Sequence, residues 1–361
     1  MDTFIHVSSV VSSYAKVCHN WGSCLCSSLN MNLMVNIFQV VPQAADICFL
    51  DATSSLDRTD CKVFRLVCPS PAGGLPLGIL ILTSEGEDVV TEGLQIFRDK
   101  CAPSYAFKGR GSLGPRIFMT DDCSSEINSI KTVFPQSTTL LCQWHLQAAV
   151  WRWLYKREHD IEKKDRPLLL KLFQKLLYAK TNESYEAARL ELYEDETAND
   201  YPQYLQHLSA QYFHRLDTWT TFARLENNLS THHHTTNNLV ESSFNVLKSY
   251  TFNREMEFNI AALLLRLLTE DSIYYEGKLI DIGNSVFSQH VKRSSYNQKV
   301  TIPMEDITEV CLESKIFYVK SQSEADIYYQ CNMKSGLCTC KRGRDLGPCK
   351  HKALTECIYH S

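Results

Sequence analysis

Between Asp46 and Cys142 the chain alternates short apolar runs, turn residues and two amphipathic stretches. That order limits the fold more than any other feature of the sequence. Residues 47–53 (Ile-Cys-Phe-Leu-Asp-Ala-Thr) predict a buried strand that carries Asp51 near its end, and 63–68 predict a second strand. Pro69 to Gly74 supplies turn residues, and 77–82 is a third apolar run. The stretch from Thr91 to Lys100 places Leu94 and Phe97 on one helical face, with Cys101 beyond them. Arg116 to Thr120 predicts a fourth strand that stops at Asp121-Asp122. From Ser124 to Phe134, Ile127, Ile130 and Phe134 recur at helical spacing behind a Ser and Glu126. Residues 138–142 complete five strands. Three antiparallel strands followed by helix, strand, helix and strand give a mixed α/β sheet with helices on both faces.

Past Trp144 the strand signals stop. Runs such as 168–177, 185–193 and 204–213 are helical, so the stretch 146–235 is expected to be an all-helical insertion. A helix opens on Thr236-Asn237-Asn238, and a longer apolar-faced one runs from Asn259 to Leu279. These signals divide the chain into a poorly defined leader (1–44), an α/β domain (45–283), a polar linker with Pro303 (284–314) and a C-terminal region (315–361). The strand order is that of an RNase H-like core. At 361 residues, 44% hydrophobic and 22% charged, the chain has an ordinary globular composition. No apolar run reaches the roughly 18 residues of a membrane helix, and the start lacks the pattern of a signal peptide. Fifteen cysteines in a chain this long suit a reducing compartment.

The C-terminal region carries a metal-ligand pattern. Cys338-Thr339-Cys340, eight residues and Cys349-Lys350-His351 offer three thiolates and one imidazole, a donor set of closed tetrahedral zinc sites. Gly343, Gly347 and Pro348 let the intervening loop return the second pair. The alternative is a set of reduced, packed cysteines. Lys341, Arg342 and Arg344 in the loop form a local basic patch in a chain of net charge -4. That patch is either a nucleic-acid contact or a solvated surface.

Acidic residues supply the second constellation. Asp51 and Asp121 end strands expected to be neighbours, and Glu241 sits in the first turns of a later helix. Each alone is an ordinary strand-end or cap residue. Together they repel one another unless a cation neutralises them. Two Mg2+ or Mn2+ ions would do so and would support phosphoryl transfer. Asp122 should point the other way by strand alternation. His232-His233-His234 is expected to be a solvated loop, and Trp144, Trp151 and Trp153 are expected mainly to pack.

The run Gly347-Pro348-Cys349-Lys350-His351 behind a CxC pair resembles the SWIM-type zinc finger. Met119 to Glu126, Val133-Phe134-Pro135 and Leu141-Cys142-Gln143-Trp144-His145-Leu146 resemble the central motif of Mutator-like element (MULE) transposases. Leu50-Asp51-Ala52-Thr53 is similar to that family's first-acid strand. Thr236-Asn237-Asn238-Leu239-Val240-Glu241-Ser242 with Lys248 is similar to its third-acid helix. The resemblance spans 46–355, with the motifs in the family's order. It implies a DDE triad of Asp51, Asp121 and Glu241 on an RNase H-like fold, with Mg2+ or Mn2+ as catalytic ions and Zn2+ as a structural one. It also implies DNA as partner, cleavage and strand transfer as activity, and a nuclear location. Cys142 and His145 would orient DNA or the scissile phosphate. As metal ligands that pair is incomplete, and the plainer reading is a buried Cys with a hydrogen-bonded His. A homo-oligomer, and chromatin or protein partners through the finger, are compatible with the resemblance. The competing expectation is a domesticated, non-catalytic DNA- or protein-binding factor that uses the finger.

Overall fold

The computed structural model describes residues 15–20, 26–70, 73–232, 234–284, 307–311, 316–321, 327–332, 337–340, 349 and 351. Lys341, Arg342 and Arg344 lie outside them.

The protein is mixed α/β. Its larger sheet contains β1 (Ala15–Asn20), β2 (Cys26–Met31), β3 (Ile47–Thr53), β4 (Lys62–Cys68), β5 (Leu75–Leu82), β6 (Ile117–Thr120) and β7 (Thr138–Leu141). The spatial order is β1-β2-β5-β4-β3-β6-β7. β3, β4 and β5 pair antiparallel, whereas β6 and β7 run parallel to β3. Parallel neighbours need crossovers. These are supplied by α2 (Glu87–Ile96) before β6 and α3 (Ser124–Val133) before β7, with α1 (Asn32–Val40) preceding β3.

The leader expected over 1–44 is not loose where it is described. β2 adds to the edge of β5, and β1 pairs with β2. Their sequences, AKVCHN and CSSLNM, hold few β-branched residues, so ladder hydrogen bonds to β5 carry a pairing that side-chain patterning does not register. In α1, Asn36 and Gln39 interrupt the apolar run but face solvent, while Met34, Ile37 and Phe38 are buried.

Beyond β7 the chain is helical: α4 (Gln143–Leu154), α5 (Arg166–Tyr178), α6 (Asn182–Glu194), α7 (Pro202–Gln211) and α8 (Thr221–Glu226). α6 starts at Thr181 because Thr181 and Ser184 form a reciprocal capping box. These helices share their own core, with Leu154, Leu169, Phe173, Tyr185 and Trp219 buried. α9 (Asn238–Val246), α10 (Ile260–Arg266) and α11 (Ser272–Gly283) then return to the sheet. π-helical turns at Leu247–Thr251 and Leu267–Asp271 extend α9 and join α10 to α11.

Alternation along the strands sorts residues to two faces. Leu50, Phe64, Leu66 and Phe118 pack with Phe38, Leu94 and Ile130 from α1, α2 and α3. Ile47, Phe49, Val63, Ile117 and Met119 pack on the other face with Val240, Phe244 and Leu263 from α9 and α10. Asp51 shares parity with Phe49, and Asp121 with Met119, so both acids belong to the face that α9 covers.

A second, four-stranded antiparallel sheet is formed by β8 (Ile307–Cys311), β9 (Ile316–Lys320), β10 (Tyr328–Asn332) and β11 (Leu337–Cys338), in the order β11-β10-β9-β8. β8 falls inside the stretch expected to be linker. Its sequence, ITEVC, alternates only briefly, and its partner β9 supplies the pairing. Among the described residues no helix is long and apolar enough to cross a membrane.

Candidate functional site

The parallel β3–β6 ladder pairs Ile47 with Ile117 and Phe49 with Met119. The same register carried two residues further sets Asp51 beside Asp121, on neighbouring strands about 4.8 Å apart. Glu241 lies in the first turn of α9, which packs on β3 and β4. The electrostatics reflect this convergence. The Asp51 carboxyl is pushed up to about 7, first by burial, then by the Asp121 charge, with Glu241 adding to it. The Ala52 N–H, donating to Asp51 Oδ1 at 2.7 Å, and the His145 charge pull in the opposite direction.

His145, on the first turn of α4, stands between the other two acids. Its Nδ1 lies 2.6 Å from Asp121 Oδ1 and its Nε2 lies 3.5 Å from Glu241 Oε1. Burial alone would lower its pKa, but contact with Asp121 and then Cys142 outweighs this and pushes the imidazole up to about 10. These contacts favour the protonated ring. Asp122 turns away, as alternation predicts. Both its oxygens accept from Arg215 of the helical insertion at 2.6 Å, a bidentate pair.

Two further residues were not singled out by the sequence. Asn237 is wholly buried. Its backbone N–H donates to Cys142 Sγ at 3.2 Å, and its Nδ2 donates to Asp121 Oδ1 at 3.4 Å. It thus ties the start of α9 to both the second acid and the start of α4. Arg65, the cross-strand neighbour of Asp51, is fully buried and paired with Asp271 of the second π turn. Its Nη1 also donates to the Ser243 carbonyl at 3.2 Å, two residues past Glu241. A lone Arg in the apolar run KVFRLVC was the available signal, because a buried guanidinium demands a partner. Glu126 is not a fourth member of the site. It accepts from the Thr120 hydroxyl and is pushed up to about 8, mainly by burial.

A cleft of about 480 Å³ lies past the end of β3, and its lining does not include the three acids. It is lined by Ser54 and Ser55, just past Asp51, and by Asn245, Lys248 and Ser249, one and two turns beyond Glu241, with Arg254 opposite. Trp144 is 55% exposed, edge-on to His145 at 4.8 Å. Trp151 and Trp153 pack against the insertion core, with Trp153 stacked between His159 and His207. The His232–His234 stretch is not simply solvated. His232 contacts Asp46 at 3.0 Å, and His234 is half-buried, edge-on to Phe49; desolvation, with the neighbouring His232 adding to it, holds its pKa down near 4.

In the second sheet the ligand atoms of Cys338, Cys340, Cys349 and His351 lie within 4.8 Å of one another, and all four side chains are buried. This Cys3His cluster could hold a metal such as zinc. Cys338 Sγ lies 3.7 Å from His351 Nδ1, and the Tyr329 ring packs 4.7 Å from the imidazole. Cys331, which the spacing argument passed over, is the cross-strand partner of Cys338 and donates to its sulfur at 3.4 Å. Among the described residues, the cysteines make up most of this module's buried core, beside Phe317 and Val319.

No protein-family model matches the chain, and no curated protein matches it. The family reading therefore rests on the quoted motifs and on the geometry of the site.

Proposed function

We propose that the protein is a MULE-type, DDE transposase-derived phosphoryl transferase acting on DNA, with a SWIM-type zinc finger at its C-terminal end. The observation that carries this reading is the convergence of Asp51, Asp121 and Glu241, from positions far apart in sequence, on one face of the sheet. The strand order β5-β4-β3-β6-β7 also supports an RNase H-like core. The three acids fit Mg2+ or Mn2+. Asp121 and Glu241 keep about a third of their side chains open, and Asp51 carries a cost that a cation would relieve. When bound, such ions polarise the phosphate and generate the nucleophilic oxygen. The chain's own groups would position the substrate. Asn237 orients Asp121, and Arg65 fixes α9 and with it Glu241. Lys248 and Arg254 place cations along the cleft for backbone phosphates, and Trp144 offers a stacking face. In the finger, zinc would be structural and held by Cys338, Cys340, Cys349 and His351.

One observation favours a non-catalytic binding factor instead. His145 bridges Asp121 and Glu241, which compensates the acids without a metal. A nicking and strand-transfer assay separates the two readings. Protein given a single equivalent of Zn2+ per chain is supplied with a 3′-hydroxyl oligonucleotide and supercoiled plasmid in Mn2+, beside Asp51→Asn, Asp121→Asn and Glu241→Gln. Activity in the parent that all three folded variants lose supports the transferase. Inactivity of a folded parent that still binds DNA supports the binding factor.

A further inference from the structure

The CxxH pair at the start of α4 is incomplete as a metal site in sequence, and the fold supplies a third donor. An Asp121 oxygen, Cys142 Sγ and a His145 ring nitrogen lie within 4.8 Å of one another. We propose that these three residues form a second zinc site, separate from the C-terminal Cys3His cluster, and that zinc there takes Asp121 away from the acidic triad.

Oxygen, thiolate and imidazole together suit Zn2+ better than Mg2+ or Mn2+, which prefer oxygen alone. Three protein donors are the complement of an open zinc site, with the fourth position left for water or a substrate oxygen. The surroundings are built for such a centre. The backbone N–H of Asn237 donates to the Cys142 sulfur, the kind of outer contact that orients a thiolate ligand. The Asn237 amide touches Asp121 through Nδ2, while its Oδ1 is buried without a hydrogen-bond partner. A water on the fourth position would give that oxygen a donor. Arg224, also buried, donates through Nη2 to the Leu141 carbonyl at 2.6 Å. Its Nε and Nη1 have no hydrogen-bond partner, and among the described residues it forms no ion pair with a carboxylate; Cys142, once a thiolate, would act on it. A metal-held thiolate supplies the anion that this guanidinium otherwise lacks.

Metal entry replaces the direct His145–Asp121 contact with two bonds to one ion. Zinc binding itself does not depend on catalysis. Its consequence, that zinc competes with the catalytic cation for Asp121, rests on the proposed function.

The test is a metal count on the full chain. Metal-stripped protein is titrated with Zn2+ against a chromophoric chelator, and Co2+ replaces Zn2+ in parallel to record thiolate-to-metal absorption. The expected result is two zinc ions per chain for the parent and one for Cys142→Ser, with the Co2+ absorption reduced by the contribution of one thiolate. His145→Asn removes a partly exposed ligand from the edge of the site, so it reads the same loss if the buried serine disturbs folding. Equal counts in the parent and both variants would overturn the proposal. One ion in the parent and none in either variant would uphold it while removing the zinc reading of the C-terminal cluster.

Discussion

The two candidate metal centres of this protein are built in opposite ways. Asp51, Asp121 and Glu241 come from three distant parts of the chain, are partly open to solvent, and sit on a sheet whose two faces are filled by large apolar clusters. Cys338, Cys340, Cys349 and His351 come from a 14-residue window, are buried, and themselves make up much of a small core. The contrast separates two jobs for a metal. In the first centre the fold exists independently and the ion would supply chemistry. In the second the ligands are themselves core residues among those described, so an ion there would tie the strands together.

The largest expected effect is on the second centre. Cys349→Ser or chelation should remove stabilisation on the order of 10 kcal/mol from the C-terminal module. Amide exchange over 316–332 should then approach unfolded rates while 47–53 and 117–120 stay protected. Retained protection in both regions would erase the contrast. Next, Arg65→Leu should destabilise the α/β domain by about 3–5 kcal/mol, because Asp271 is left as an unpaired buried charge. Arg65→Leu with Asp271→Leu should recover most of that loss in urea denaturation; no recovery would mean the pair is not the staple described. Third, Asp121→Asn should reduce Mn2+-dependent nicking by more than about 100-fold, with cooperative unfolding retained in urea but the midpoint lowered, because His145 loses its carboxylate partner.

Smaller effects sharpen the picture of the acidic site. Asp51 has a folded-state pKa near 7, above its unfolded value. Over the interval between the two, the folded chain holds a proton that the unfolded chain has released. Its contribution to stability is therefore greatest at low pH and is lost as pH rises towards 7. Asp51→Asn should flatten that slope in denaturation curves taken between pH 4 and 7; an unchanged slope would show that Asp51 is not strained by its neighbours. Last, Trp144→Ala should weaken single-stranded DNA binding by on the order of 1 kcal/mol, measured by fluorescence anisotropy, without changing stability. Unchanged binding would assign Trp144 no part in holding DNA.

The middle of the sheet was legible because its strands are short, apolar and bounded by turns. The acids were legible because they stand where apolar runs stop. The edge hairpin β1–β2 was not, since backbone ladders can hold polar sequences such as CSSLNM. β8 was hidden in a polar stretch for the same reason. Among site residues, Asn237 looked like a helix start, and its contacts to Cys142 and Asp121 span about a hundred residues of chain. Arg65 and Asp271 are about twice as far apart, 206 residues. Long-range partners leave no local period, so residues that position the acids were harder to see than the acids themselves. The Cys/His spacing was plain, yet Cys331 was missed because it enters through strand pairing rather than spacing.

The most direct test of the account is Mn2+ binding followed by electron paramagnetic resonance, on protein given a single equivalent of Zn2+ per chain with duplex DNA present, beside Glu241→Gln. The account predicts that the free Mn2+ signal falls on addition of the parent and that the variant loses most of this binding. A signal unchanged by the parent, or reduced equally by parent and variant, would contradict a divalent-ion site at Asp51, Asp121 and Glu241.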